Sequence, residues 1–301
     1  MDGILDELKA SFKRGGIVVK LIYINLGVFL AIRILWVILT LSGLGYLQEP
    51  VLRFLAVPAN LSTLLVRPWT IFTYMFLHEG FLHILFNLLW LYWFGRIFMH
   101  YLTSKQLLNT YILGGLSGAA LYILMFNLLP VFEPVVNSAI ALGASAAVMA
   151  IAITISVYVP DYTLNLIFIG PVKLKYIALV FIITDVLQIA STNAGGHIAH
   201  LGGAIFGILY AQQYKKGNDI TMGFSKIMDR IASIFKTRQR LRVSYRRNNE
   251  EVKEQTDWEY NQRRITEQEK IDKILDKIAQ SGYESLSKRE KEILFKAGEN
   301  K

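Results

Sequence analysis

The chain has 301 residues, 53% of them apolar, with a mean hydropathy of +0.37 and a formal net charge of +9. That is too apolar for one soluble domain of this size and fits a polytopic membrane protein. Cysteine is absent, which excludes disulfides and cysteinate–metal sites. The cations gather at the ends of apolar runs and in the C-terminal tail, as membrane-side anchors do, so nucleic acid is not the expected partner.

Residues 1–16 are mildly amphipathic and contain acids, and are expected to form a cytoplasmic N-terminal tail. The apolar run that starts near Ile17 is too long for the core of a cleaved signal peptide and reads as a retained anchor. Six candidate spans follow, about 18–43, 75–98, 107–129, 143–159, 173–190 and 198–214. Each approaches the roughly 20 residues needed to cross about 30 Å of hydrocarbon. The fourth and sixth are the shortest and the richest in small residues. The first outer loop, about 44–74, is long and partly apolar, which predicts a structured element in the outer interface. Residues 163–171 are apolar but too short to span, and are expected to form an interfacial hairpin.

Lysine and arginine are frequent in the N-tail (Lys9, Lys13, Arg14, Lys20), in the second–third connection (Arg96, Lys105), in the fourth–fifth connection (Lys173, Lys175) and in the C-tail. The opposite loops carry only Arg53 and Arg67. This bias predicts cytoplasmic termini, with spans two, four and six entering from outside. Residues 215–261 read as a basic amphipathic cytoplasmic linker. Phe224, Ile227, Met228, Ile231, Ile234 and Phe235 fall on one helical face, and Arg238, Arg240, Arg242, Arg246 and Arg247 follow. This suits an anionic leaflet; the alternative is a tail helix packed on protein. Residues 262–299 predict a small helical hairpin with a stripe of Ile271, Ile274, Leu275 and Ile278, a break at Gly282, and a Ser287–Glu290 capping box. Its core is thin, so dimerisation, docking or a partner is expected.

Four polar residues stand near the starts of spans two, four and six: His83 and Asn87, Ser145, and His200. Ser145 opens its segment after Gly143-Ala144, so free backbone N–H groups would lie beside its hydroxyl and could hold an oxyanion. A membrane serine is also commonly structural, back-bonding to its own helix. An imidazole in hydrocarbon is costly and marks a candidate functional site; the alternative is a packing motif whose histidine only bonds a neighbour. Gly203, Ala204 and Gly207 share the face of His200 and would let another helix approach. If that neighbour carries Ser145, hydroxyl and imidazole meet. His83 and Asn87, four apart, suit stabilisation of a developing negative charge or an interhelical polar clamp.

A zinc reading fails on spacing. In HEGFLH (78–83) the histidines are five apart and diverge by about 140° on a helix. His197 and His200 form H-x-x-H without an obvious acidic ligand. No metal or cofactor is expected. Asp185 is a candidate to orient His200, though its face is not fixed by sequence, and Arg33 has no evident partner.

The pattern resembles the rhomboid family of intramembrane serine proteases over about 60–214. It rests on H-x-x-x-N (His83, Asn87), G-x-S (Gly143, Ser145) and A-H-x-x-G (Ala199, His200, Gly203, then Gly207). The resemblance implies an all-α fold: a six-transmembrane-helix bundle over 17–214, with the small cytoplasmic helical hairpin appended. It implies a Ser–His dyad without an essential aspartate. Ser145 would be the nucleophile and His200 the general base and acid. His83, Asn87 and the Ser145 backbone N–H would form the oxyanion hole. Arg67, Trp69 and Thr70 would belong to the family's interfacial loop, without its usual Trp-Arg order. Departures are Ala146 in place of glycine, Met149 in place of an aromatic, and Met99 where a glutamate is usual. The expected activity is endoproteolysis of transmembrane protein substrates in a bacterial inner membrane. The alternative is a non-catalytic membrane-protein binder or chaperone; a transporter would need internal repeats, and no convincing one is present.

Overall fold

Helices form wherever an apolar run is uninterrupted, and end where glycine, proline or a polar cluster intervenes. The computed structural model describes residues 2–166, 170–191, 193–235 and 257–299. The chain folds as two compact units, Met1–His100 with Ser104–Thr237, and Tyr101–Thr103 with Arg238–Lys301.

The first unit opens with α1 (Asp2–Arg14), so the expected tail is a helix, followed by α2 (Ile17–Leu41). The long first loop folds into α3 (Gln48–Leu55), β1 (Val57–Pro58), α4 (Leu61–Val66) and α5 (Thr70–Thr73). Asn60 caps α4 by accepting from the Thr63 N–H at 2.8 Å. Next come α6 (Phe81–Tyr101) and α7 (Ser104–Leu128). Hydropathy predicts that the second span begins near 75. The helix begins at Phe81 because Tyr74–Phe76 tighten into a 3₁₀ turn and Leu77 is extended.

β2 (Ile140–Ala141) pairs antiparallel with β1, Val57 opposite Ala141. It leads into α8 (Ser145–Tyr158). Two further strands, β3 (Thr163–Leu166) and β4 (Gly170–Lys173), pair antiparallel, so the architecture is helical with two short strand pairs and not purely α. α9 (Leu174–Gln188), α10 (Ala194–Lys215) and α11 (Met222–Phe235) complete this unit.

Three helices, α2, α6 and α7, are long and apolar enough to cross a membrane by length and composition, and α8 is a shorter apolar helix. The three differ in how much neighbours cover them. The most apolar window of α2 is 17% buried, against 39% for α6 and for α7.

The centre is a three-helix seam built on small residues. Gly114 of α7 faces the Cβ of Ala150 of α8, and a Cβ at Gly118 would meet that of Ala146 at 2.5 Å. Gly203 of α10 lies against the backbone oxygen of Ala146, and a Cβ at Gly207 would sit 2.7 Å from the backbone oxygen of Ala150. Residues 203 and 207 thus follow 146 and 150 in the same direction, and α8 and α10 run parallel. Residues 114 and 118 meet 150 and 146, so α7 runs antiparallel to both. Side chains at these glycines would push the backbones apart, and lipid offers no solvent-driven force to close the gap again.

Buried polar groups are paired across this frame. Tyr111 accepts from Asn25 Nδ2 at 3.1 Å and donates to the Met75 carbonyl at 3.0 Å. Arg33 places its guanidinium 5.2 Å from the Phe29 ring centroid, a cation–π partner the sequence did not disclose. On α11, Ile227 is exposed while Ser225 and Asp229 bind α7 through Asn109 (2.6 Å) and Lys105 (2.6 Å). The side chains of Ile231, Ile234 and Phe235, and the basic run Arg238–Arg247, lie outside the described residues.

In the second unit α12 (Asp257–Ser281) and α13 (Lys288–Glu299) bury Ile274 and Leu286. Gly282 ends α12 at φ 76°. The capping box forms, with Ser287 N–H donating to Glu290 Oε2 (2.7 Å) and Glu290 N–H to Ser287 Oγ (3.3 Å). Leu275, expected in the buried stripe, is 48% exposed.

Candidate active site

The segment before α8 is held from three sides. Arg53 donates to the Ser138 carbonyl (2.8 Å), Ala59 N–H to the Ala139 carbonyl (3.0 Å), and Gly143 N–H to the Tyr74 carbonyl (2.9 Å). Tyr74, fully buried, also donates its hydroxyl to the Gly115 carbonyl. Trp69 donates to the Phe54 carbonyl (2.8 Å) and Arg67 to the Arg53 carbonyl (3.2 Å), so the interfacial-loop residues brace the first loop and stand outside the polar cluster.

Gly143 adopts φ 136°, which side-chain-bearing residues avoid. A Cβ there would lie 3.1 Å from His83 Nε2 and 3.3 Å from Ser145 Oγ. The loop therefore brings the start of α6 beside the start of α8. Ser145 is the first residue of α8, half-buried, behind Ala144, which supplies no side-chain cap. The first bond closing the helix runs from Val148 N–H to the Ala144 carbonyl (2.9 Å). The N–H groups of Ser145, Ala146 and Ala147 thus precede the intrahelical ladder, in the position that favours an anion. Asn87 is buried one turn below His83 and donates to the His83 carbonyl at 2.8 Å, which leaves its second N–H free of that bond.

His200 stands one turn before Gly203, on the face of α10 that lies against α8. Among the described residues no hydrogen bond joins the Ser145 hydroxyl to the His200 ring. Met149, one turn below Ser145, packs against the cluster of Ile153, Ala178 and Ala204, where α8, α9 and α10 meet.

Two features go beyond what the sequence fixes, the face of the candidate Asp185 and the place of His78. Asp185, near the end of α9 and 5% exposed, accepts from Nδ1 of both His197 (2.7 Å) and His200 (2.9 Å) on one oxygen, Oδ1. The expectation that H-x-x-H lacks an acidic neighbour is thereby corrected. The carboxylate comes from a different helix, so local sequence could not reveal it. Ligand atoms of these three residues lie within 4.8 Å of one another, close enough for a metal ion. His78, outside the helices, is buried against His83 with ring centroids 5.1 Å apart, and neither nitrogen finds a partner among the described residues. Burial pulls its pKa down to about 4, and the neighbouring His83 adds to this, so the ring is neutral at physiological pH. Glu79 is exposed.

The Rhomboid domain family matches residues 66–216. A family of unknown function, DUF6576, matches residues 254–296. RHOMBOID-like protein 12, mitochondrial, of Arabidopsis thaliana is 31% identical over 157 residues, covering 49% of this chain and 47% of that protein. The match thus spans about half the length of that curated relative. With its family match running through all three polar segments, this chain belongs to the rhomboid family.

Proposed function

We propose that the chain is an intramembrane serine endopeptidase that cleaves transmembrane segments of membrane proteins. The observation that carries this reading is that the starts of α6 and α8 place His83 and Ser145 together at Gly143, while Gly203 of α10, one turn after His200, lies against Ala146, the residue after Ser145. In this reading the Ser145 hydroxyl attacks the scissile carbonyl and gives its proton to His200 Nε2, because Nδ1 is engaged by Asp185. The tetrahedral oxyanion is held by the Ser145 N–H with His83 and Asn87. His200 then protonates the leaving amine, and water resolves the acyl-enzyme. Substrate helices protect their own backbone by hydrogen bonding, so cleavable ones carry glycine, proline or other weak helix formers near the cut.

The proposal includes six spans, with α8, α9 and α10 joining the three long apolar helices. Both termini face the cytoplasm of an inner membrane, following the lysine and arginine bias. α11 lies on the anionic leaflet. The C-terminal hairpin serves a partner that its chemistry does not name.

The test is cleavage of a single-pass model substrate by reconstituted protein. Ser145→Ala and His200→Ala should each lower the rate about 10⁴-fold or more with unchanged thermal unfolding. Normal cleavage by Ser145→Ala would remove the nucleophile assignment. The open Ser145–His200 pair favours a second reading, a non-catalytic membrane-protein binder. Labelling of Ser145 by a fluorophosphonate supports the enzyme, and silence supports the binder.

A further inference from the structure

We propose that Asp185 of α9 is a positioning residue that locks His200 of α10 in the tautomer needed for catalysis. The inference rests on the protease reading.

A carboxylate buried in a membrane-embedded bundle is expensive unless it is paired. Among the described residues Asp185 has no lysine or arginine partner; its ion-pair partners are the imidazoles of His197 and His200. An ionised carboxylate only accepts hydrogen bonds. Both Nδ1 atoms lie on the same oxygen, at 2.7 and 2.9 Å, so each must carry the proton there. When His200 is neutral, its lone pair is then on Nε2. That is the nitrogen a base acting on Ser145 would use.

The geometry also explains the second histidine. His197 and His200 are three apart on α10 and share a face, with ring centroids 5.7 Å apart. His197 takes a share of Oδ1 and keeps the carboxylate turned toward α10. A carboxylate at this place would, in addition, stabilise the imidazolium formed when Ser145 is deprotonated. No bond to Asp185 forms or breaks in the reaction; the proton passes from Ser145 to His200 and on to the leaving amine.

The test compares wild type with Asp185→Asn, Asp185→Ala and Asp185→Glu, reconstituted with the model substrate. Asp185→Asn keeps the shape but offers an N–H where an acceptor is needed. It should lower kcat about 10²- to 10⁴-fold while leaving KM and the unfolding temperature unchanged, and Asp185→Glu should recover most of that loss. Asp185→Ala should lower both kcat and the unfolding temperature. EDTA should leave wild-type activity unchanged. An Asp185→Asn protein as active as wild type overturns this inference alone. A loss that tracks unfolding in every variant overturns it as well, as does an activity that EDTA abolishes and zinc restores, which would make the three residues a metal site. An inert wild type overturns the protease reading and this inference together.

Discussion

Helices α2 and α10 enclose the same bundle on opposite plans. α2 is a continuous apolar rod. Ile34, Val37, Ile38 and Leu41 are all more than half exposed, and its buried residues Val18, Leu21, Asn25 and Leu39 make only one narrow stripe. α10 is longer than α8 and yet is not among the helices that length and composition mark as spanning. Its inward face is Ala199, Gly202, Gly203, Ala204, Gly207 and Ala211, all buried. The outer helix is specified by what surrounds it, a hydrocarbon that any large aliphatic side chain suits. The central helix is specified by its neighbours' backbones, which only small residues admit. The proposed function sits on the second kind, because a nucleophile and a base on different helices can meet only where the helices come close.

The sharpest way to break this contrast is Gly203→Leu. Its first carbon falls on the Ala146 backbone oxygen, one residue past Ser145, so α8 and α10 must separate. We expect loss of folded protein or a drop of at least about 3 kcal/mol, together with loss of fluorophosphonate labelling, measured by thermal unfolding in detergent. Next is Gly143→Ala. The strained backbone and the His83 ring at 3.1 Å predict a cost of about 1–3 kcal/mol and a larger relative loss of labelling than of stability. Tyr111→Phe removes a hydroxyl that links Asn25 of the outer helix to the Met75 carbonyl. About 1–2 kcal/mol should be lost, read as a shift in unfolding temperature. Ile34→Ala on the outer face, 60% exposed, should change stability by less than about 0.5 kcal/mol. A large effect there would mean that α2 is covered by protein, and the contrast would fail.

The smallest effect belongs to the rim. Asp161 is bound by Lys175 (2.8 Å) and Lys173 (3.0 Å), and these partners hold its carboxyl at about 2, below the ordinary 3.8. A carboxyl lowered on folding stabilises above its unfolded value and loses that contribution as pH falls from about 4 to about 2. Asp161→Asn should therefore flatten a small acid-side slope in unfolding temperature, and high salt should mimic it, since the pair is fully exposed. An unchanged slope would show that these charges contribute nothing.

Much of this was readable from the residues alone, for identifiable reasons. The helix over 145–158 starts within two residues of its expected start because Gly143 breaks the chain there. The capping box at Ser287 and Glu290 is a local pattern and forms locally. The small-residue face beside His200 was visible as i+3, i+4 and i+7 spacing, and that face packs on α8. The start of α6 was misplaced because Tyr74–Phe76 is as apolar as the helix it precedes. That segment is turned aside by bonds to α7 and to Gly143, distant in sequence. Sequence offers Asp185 as a candidate to orient His200 but cannot fix its face, since a residue near a helix end is aimed by the rotation of that helix about its axis. Rotation is set by packing, and packing is not a local property.

The number and order of apolar segments, the composition of each helical face and the family to which they belong were determined by sequence, since hydropathy, periodicity and glycine spacing act over a few residues. Tertiary structure alone decided that β1 clamps the approach to Ser145, that His83 lies over Gly143, and that one carboxylate oxygen from α9 receives two imidazoles from α10. Those contacts join groups from separate helices, loops and strands, and only the close approach of packed backbones fixes them.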